Sequence, residues 1–175
     1  MTIAPTSHSL SSAAAFTLVE LLIAIAIIAI LLGLAAPSFQ SFILETRITA
    51  EARKFLLALQ TARSEASRIN ASVLLCASAD DSVCGSDWTT NKLVFADADH
   101  NKTRSLTEKL VFSGPPLAAR MTVTGPVAGW IEFNSVGQAT TSATFKLCDT
   151  RTGKIGRLVS VELTGRSSLT TTICP

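Results

Sequence analysis

The chain has 175 residues, a formal net charge of +2 and a hydrophobic fraction of 47%. That length holds one domain plus a membrane segment, and so small a charge argues against a chain built chiefly to coat nucleic acid. The two histidines are His8 and His100, and no G-x-S-x-G, HExxH or glycine-rich phosphate loop occurs, so neither an enzyme nor a cofactor is expected.

Residues 1–15 are polar or small and carry no Lys or Arg. Phe16-Thr17-Leu18-Val19-Glu20 follows, and from Leu21 to Leu44 no residue is ionisable. That run matches the ~20 residues a helix needs to cross the hydrocarbon core. A secretory signal peptide would end in a cleavage site and a new domain start. Here an amphipathic pattern continues directly instead. Glu20 is out of place in a plain anchor, because a carboxylate inside a membrane helix costs roughly 2.5–3.5 kcal/mol. A free amine on Phe16 of a neighbouring copy, made by a cut after Ala15, would be a partner for it. The set Phe16, Glu20 and Pro37 resembles the class III signal of type IV prepilins. The resemblance implies peptidase cleavage between Ala15 and Phe16, N-methylation of Phe16, a registry role for Glu20 and a helix kink at Pro37. Ala15 departs from the glycine that the family prefers, and the leader lacks the family's usual basic residues.

After Pro37 the apolar positions Ile48, Ala52, Phe55, Leu56, Leu59, Ala62, Ala66 and Ile69 trace one helix face, with Arg47, Glu51, Lys54 and Arg63 largely off it. One helix is therefore expected from about Phe16 to about Asn70. Short β runs follow at 72–77, 92–96, 109–112, 121–124, 130–134, 144–148, 157–163 and 169–174, separated by turn residues such as Asp80-Asp81, Gly125-Pro126, Gly137 and Gly153. A helix followed by consecutive strands means α+β. The expected organisation is a leader over 1–15, a transmembrane helix over 16–37, an amphipathic half of the same helix over 38–70 and a β-rich head over 71–175.

The four cysteines, Cys76, Cys84, Cys148 and Cys174, all follow the apolar block. An even count in an exported domain suggests two disulfides. Three pairings exist in principle, and Cys76–Cys84 with Cys148–Cys174 is favoured because each closes a local segment. Zinc would need close pairs of the C-x-x-C kind, which are absent. Trp88 and Trp130 are read as core or half-buried strand residues.

The head resembles the GspH/FimT family, which contains the type II secretion pseudopilin H and minor pilins of type IV pili. The matching pieces are Cys76 and Cys84, Trp88, Val94-Phe95 leading into Asp97-Ala98-Asp99, Ile131-Glu132-Phe133 with Gly137, Phe145-Lys146-Leu147-Cys148, and Gly165-Arg166. The resemblance implies a type IV pilin-like fold and a low-abundance subunit near a filament tip that primes assembly. It implies an inner-membrane protein with a periplasmic head. Its partners would be other minor pilins or pseudopilins, the major subunit and the prepilin peptidase.

Two ligand readings arise from the head. Asp97, Asp99 and Asn101 take positions one, three and five of an EF-hand-like loop, with Glu108 at twelve. Lys102 stands at the position-six glycine and Arg104 adds positive charge, so a polar hairpin turn is the preferred reading. The C-terminal stretch carries Lys146, Arg151, Lys154, Arg157 and Arg166 against Asp149 and Glu162, a local excess of the kind phosphate binding requires. Some FimT-type pilins take up DNA through a Gly-Arg-x-Arg motif. Gly165 and Arg166 match it, and Ser168 replaces its second arginine. DNA is thus the alternative partner, with ordinary strand-edge charges the simpler account.

Overall fold

The computed structural model describes residues 16–151 and 153–175; the side chains of residues 34–38 are outside that description. The leader and Ala15 lie outside it, and for Pro37 helical backbone alone is described. The chain divides into two compact units, one ending at Phe42 and one spanning Ile43–Pro175.

Helix α1 runs Leu18–Ile69. Thr17 is its N-cap: the Thr17 hydroxyl accepts from the Glu20 amide at 3.2 Å and the Thr17 carbonyl accepts from the Leu21 amide at 3.2 Å. Thr17 followed by Glu20 is the capping-box spacing. At the far end Asn70 adopts φ 53° and the Ala71 amide bonds the Ala66 carbonyl at 3.2 Å. That is a Schellman closure, which needs a left-handed residue where Asn is tolerated. Among the described residues no helix is long and apolar enough to cross a membrane.

In the second unit α1 is followed by β1 (Val73–Ser78), β2 (Asn91–Ala96), β3 (Leu110–Gly114), β4 (Met121–Thr124), β5 (Trp130–Phe133), β6 (Ala143–Asp149), β7 (Ile155–Val161) and β8 (Ser167–Ile173). They form two antiparallel four-stranded sheets, ordered β3-β2-β1-β5 and β4-β6-β7-β8. Each expected strand is present. The largest shift is in β7, expected to reach Leu163 but ending at Val161. There the Glu162 amide turns back to the Arg166 carbonyl and closes a hairpin.

One core serves both sheets. Ile48, Ala52, Phe55, Ala58, Leu59, Ala62 and Ala66 of α1 are buried against Val73, Leu75, Val94, Ile131, Phe133, Phe145, Leu147 and Val159. The expected helix face is therefore the buried one, with Leu56 and Ile69 at its margin. Glu51 departs from expectation by being buried. It sits between Ile48 and Phe55 in the i+3/i+4 row and binds Lys54 Nζ at 2.8 Å. Behind β1 and β2 a second, smaller cluster holds Leu74, Cys76, Leu93 and Phe95. The disulfides are Cys76–Cys84 and Cys148–Cys174.

Candidate functional site

In the unit ending at Phe42 the apolar side chains face outward. Phe16 is 76% exposed, Leu18 74% and Ile30 64%. Soluble monomers rarely present so large a contiguous apolar surface. Glu20 is exposed beside them and has no ion-pair partner among the described residues.

In the head unit, two turns of the same form stand back to back. Asn134–Gln138 and Glu162–Arg166 each close with an amide-to-carbonyl bond at 2.9 and 3.0 Å, and each ends in a left-handed glycine, Gly137 (φ 76°) and Gly165 (φ 77°). This is the three-residue hairpin with a glycine bulge. The Ala139 amide bonds the Leu163 carbonyl at 3.1 Å and ties the turns together. Arg63 of α1 donates its Nε to the Gly137 carbonyl at 3.1 Å. A β-carbon on Gly165 would overlap that same carbonyl and come within 3.0 Å of Arg63 Nε. Gly165 thus serves the packing of two hairpins on α1.

The five basic residues of the C-terminal stretch do not gather into one patch. Lys146 pairs across with Leu158 on one face of the sheet, while Arg157 pairs with Leu147 on the other. Arg157 reaches Glu45 Oε1, and Thr49 Oγ1 at 2.9 Å. Arg151 clasps Asp149, with Nε to Oδ2 at 2.9 Å and Nη2 to Oδ2 at 2.5 Å, and approaches Glu45 at 3.5 Å. The Arg151 hydrogen bonds pull the Asp149 carboxyl below its ordinary range, against the opposing effect of burial. Lys154 and Arg166 are exposed, near opposite ends of β7 and β8.

The loop between β2 and β3 does bring acids together. One oxygen each from Asp97, Asp99 and Glu108 lie within 4.8 Å of one another. Asp97 is buried, and its pKa is raised by burial first and by Glu108 and Asp99 as well. These carboxylates already accept from the loop's own backbone: Asp97 from the Asn101 and Lys102 amides, Glu108 from those of Ala98 and Ser105. Asn101 turns its amide group to Asp99 at 2.7 Å and its carbonyl to the Thr103 amide, so it does not join the cluster as an oxygen ligand. Position six, Lys102, has φ 62°, a conformation that favours glycine. The Lys102 amine lies 4.7 Å from the Trp130 ring centroid, and the cation–π contact anchors the turn. The geometry is that of a self-satisfied polar turn.

The family model for the type II transport protein GspH matches residues 51–165. The chain belongs to the GspH family. The prokaryotic N-terminal methylation motif matches residues 10–36 of this GspH-family chain. No curated protein sequence matches it. Among solved structures it is similar to the type IV minor pilin FimU of Pseudomonas aeruginosa, at 23% identity and a TM-score of 0.56, over 74% of this chain and 92% of FimU. It is also similar to EpsH, the minor pseudopilin of the Vibrio cholerae type 2 secretion system, at 12% identity and a TM-score of 0.54, over 71% of this chain and 96% of EpsH. Both likenesses are of the type IV pilin-like fold.

Seen in the fold, most of the GspH-like motif pieces are structural. Trp88 is buried edge-on to Phe145, with centroids 4.6 Å apart, and Phe55 of α1 completes the stack at 5.2 Å from Phe145. Val94, Ile131 and Phe133 are core. Arg63 is the residue that sequence reasoning missed. It was placed off the apolar face, which is correct, and nothing local signals that its guanidinium meets a carbonyl 74 positions away.

Proposed function

We propose that this GspH-family chain is a minor pilin or pseudopilin subunit that helps initiate and assemble a type IV pilus or type II secretion pseudopilus, near the filament tip. It is made with a leader over 1–15, cut between Ala15 and Phe16, and methylated on Phe16. Residues 16–37 anchor it in the inner membrane with the head in the periplasm. The observation that carries this reading is the outward-facing apolar segment from Phe16 to Leu32, with a Glu20 near its capped start that has no ion-pair partner among the described residues. In lipid before assembly, and among other such helices afterwards, this surface gains partners that the isolated chain lacks. A neighbour's Phe16 amine neutralises Glu20 and fixes the register.

The methylation-motif match and the GspH-family head support the same reading. DNA binding has weaker support, because Arg151 and Arg157 are committed to Asp149 and Glu45. The test is Glu20→Ala in cells making the cognate filament. The mature N-terminus, read by mass spectrometry, is expected to remain methylated Phe16, while recovery of the chain with filaments falls about tenfold, the equivalent of one lost 1.4 kcal/mol contact. Unchanged recovery refutes the role given to Glu20. A mature chain starting elsewhere refutes the processing step.

A further inference from the structure

Each sheet of the head has two outer strands, and three of the four are protected. β5 is covered on its free side, where Thr140 donates to the Glu132 carbonyl at 2.9 Å and Ala139 bridges Phe133. β3 pairs irregularly with β2 and runs into Pro115-Pro116. β4 has four residues, between Arg120 in a left-handed conformation and Gly125-Pro126. Short length, bulges and proline are the usual devices that stop an edge from recruiting another strand. β8 has neither the short length nor the bulge, and its proline, Pro175, stands two residues past the strand. Its seven residues, Ser167-Ser-Leu-Thr-Thr-Thr-Ile173, contain no charge and no proline and pair with β7 in unbroken register. Among the described residues no backbone hydrogen bond reaches the strand from any element but β7. Ile173 is 73% exposed, and Ser168, Thr170 and Thr171 are exposed with it.

Resting on the subunit reading above, we propose that the free edge of β8 is a docking site for an extended, uncharged segment of a different filament subunit, which adds to the β4-β6-β7-β8 sheet as a fifth strand. Strand addition uses the alternate amides and carbonyls that an edge leaves unpaired. The flanking charges argue against a second copy of this chain. Arg166 precedes the strand, and at its other end the Cys174 amide bonds the Lys154 carbonyl at 3.0 Å. Antiparallel self-pairing about Thr170 would bring Arg166 of each copy to the Lys154 end of the other, cation against cation at both ends. Glu162, in the Arg166 turn, offsets part of the charge there and accepts from Thr164 Oγ1 at 3.5 Å. The complementary occupant is a neutral strand spanning about 23 Å, followed, outside the paired residues, by a carboxylate on the Lys154 side.

The experiment places a photo-crosslinking amino acid at Thr170 of the full chain, and in a parallel strain at Thr124 on β4, in cells that build the filament. Crosslinks are mapped by mass spectrometry, and filament incorporation is scored separately. The expected result is an adduct from position 170 to an extended segment of another filament subunit, at least about tenfold above position 124. Thr170→Lys, which adds the missing edge charge, is expected to lower that subunit's co-recovery about tenfold at unchanged thermal stability. Normal incorporation with no adduct at 170, or an adduct to a second copy or a non-filament protein, overturns the proposal and leaves the subunit reading standing. Loss of the unmodified chain from filaments overturns both.

Discussion

Replacing Gly165 by alanine separates two physical effects at one atom. Gly165 has φ 77°, and an added Cβ there meets the Gly137 carbonyl and Arg63 Nε. The left-handed backbone alone costs an L-residue about 1–2 kcal/mol. Forcing two turns apart in a packed structure adds about 1–3 kcal/mol, so about 3 kcal/mol is expected in all. For a chain of this size each kcal/mol moves Tm by about 2–4 °C, which gives a fall of about 6–12 °C. Gly153 supplies the control. Its φ is 66°, and nothing lies within 4 Å of its would-be Cβ. Gly153→Ala therefore meets the backbone cost alone, and its Tm should fall by about half as much. Thermal unfolding of the two purified variants, followed by far-ultraviolet circular dichroism, decides the matter. If Gly165→Ala loses no more than Gly153→Ala, the contact between the two hairpins is not what requires glycine.

Two further outcomes follow from the head. In the loop-entropy model a crosslink over 26 residues, as in Cys148–Cys174, contributes about 3.5 kcal/mol and one over 8 residues, as in Cys76–Cys84, about 2.5 kcal/mol. Denaturant unfolding of the Cys148→Ala/Cys174→Ala and Cys76→Ala/Cys84→Ala variants should rank them in that order, and the reverse order would contradict the model. Glu65 accepts from Arg68 at 2.6 Å and from Lys109 at 2.7 Å, and these partners hold its pKa at about 2 against an ordinary 4.5. A depressed carboxyl stabilises the fold above its unfolded pKa, and that contribution is lost as pH falls through the folded one. Glu65→Gln should therefore narrow the gap in Tm between pH 5 and pH 2, and an unchanged profile would show that the pair contributes nothing.

The strand positions were legible because burial imposes a period. A strand half-buried under a helix must alternate, and a helix over a sheet must repeat at three and four. The Ile48–Ile69 face follows from that rule, whereas the eight β runs were also delimited by the turn residues between them, since β1 is buried throughout and does not alternate. The errors sit where the rule has no purchase. β7 ends at Val161 because the turn ending in Gly165 starts there, and Leu163 on the turn is exposed while looking like a strand residue. The acidic loop is no such error: its sequence offers a cation reading but favours a polar turn, and three of its acids converge. In three dimensions backbone amides already satisfy it.

Residue types alone were enough to mark an apolar helix start with an odd glutamate, an α+β head and a pair of local disulfides, because each depends on near neighbours in the chain. The tertiary structure decided how distant charges and turns are used. It spread the basic stretch over two sheet faces and paired Arg157 with Glu45, bound Arg63 to Gly137, and left β8, among the described residues, as the longest outer strand with an open edge. Those outcomes depend on which segments lie side by side after folding, and that proximity comes from strand order and register, which no local spacing encodes.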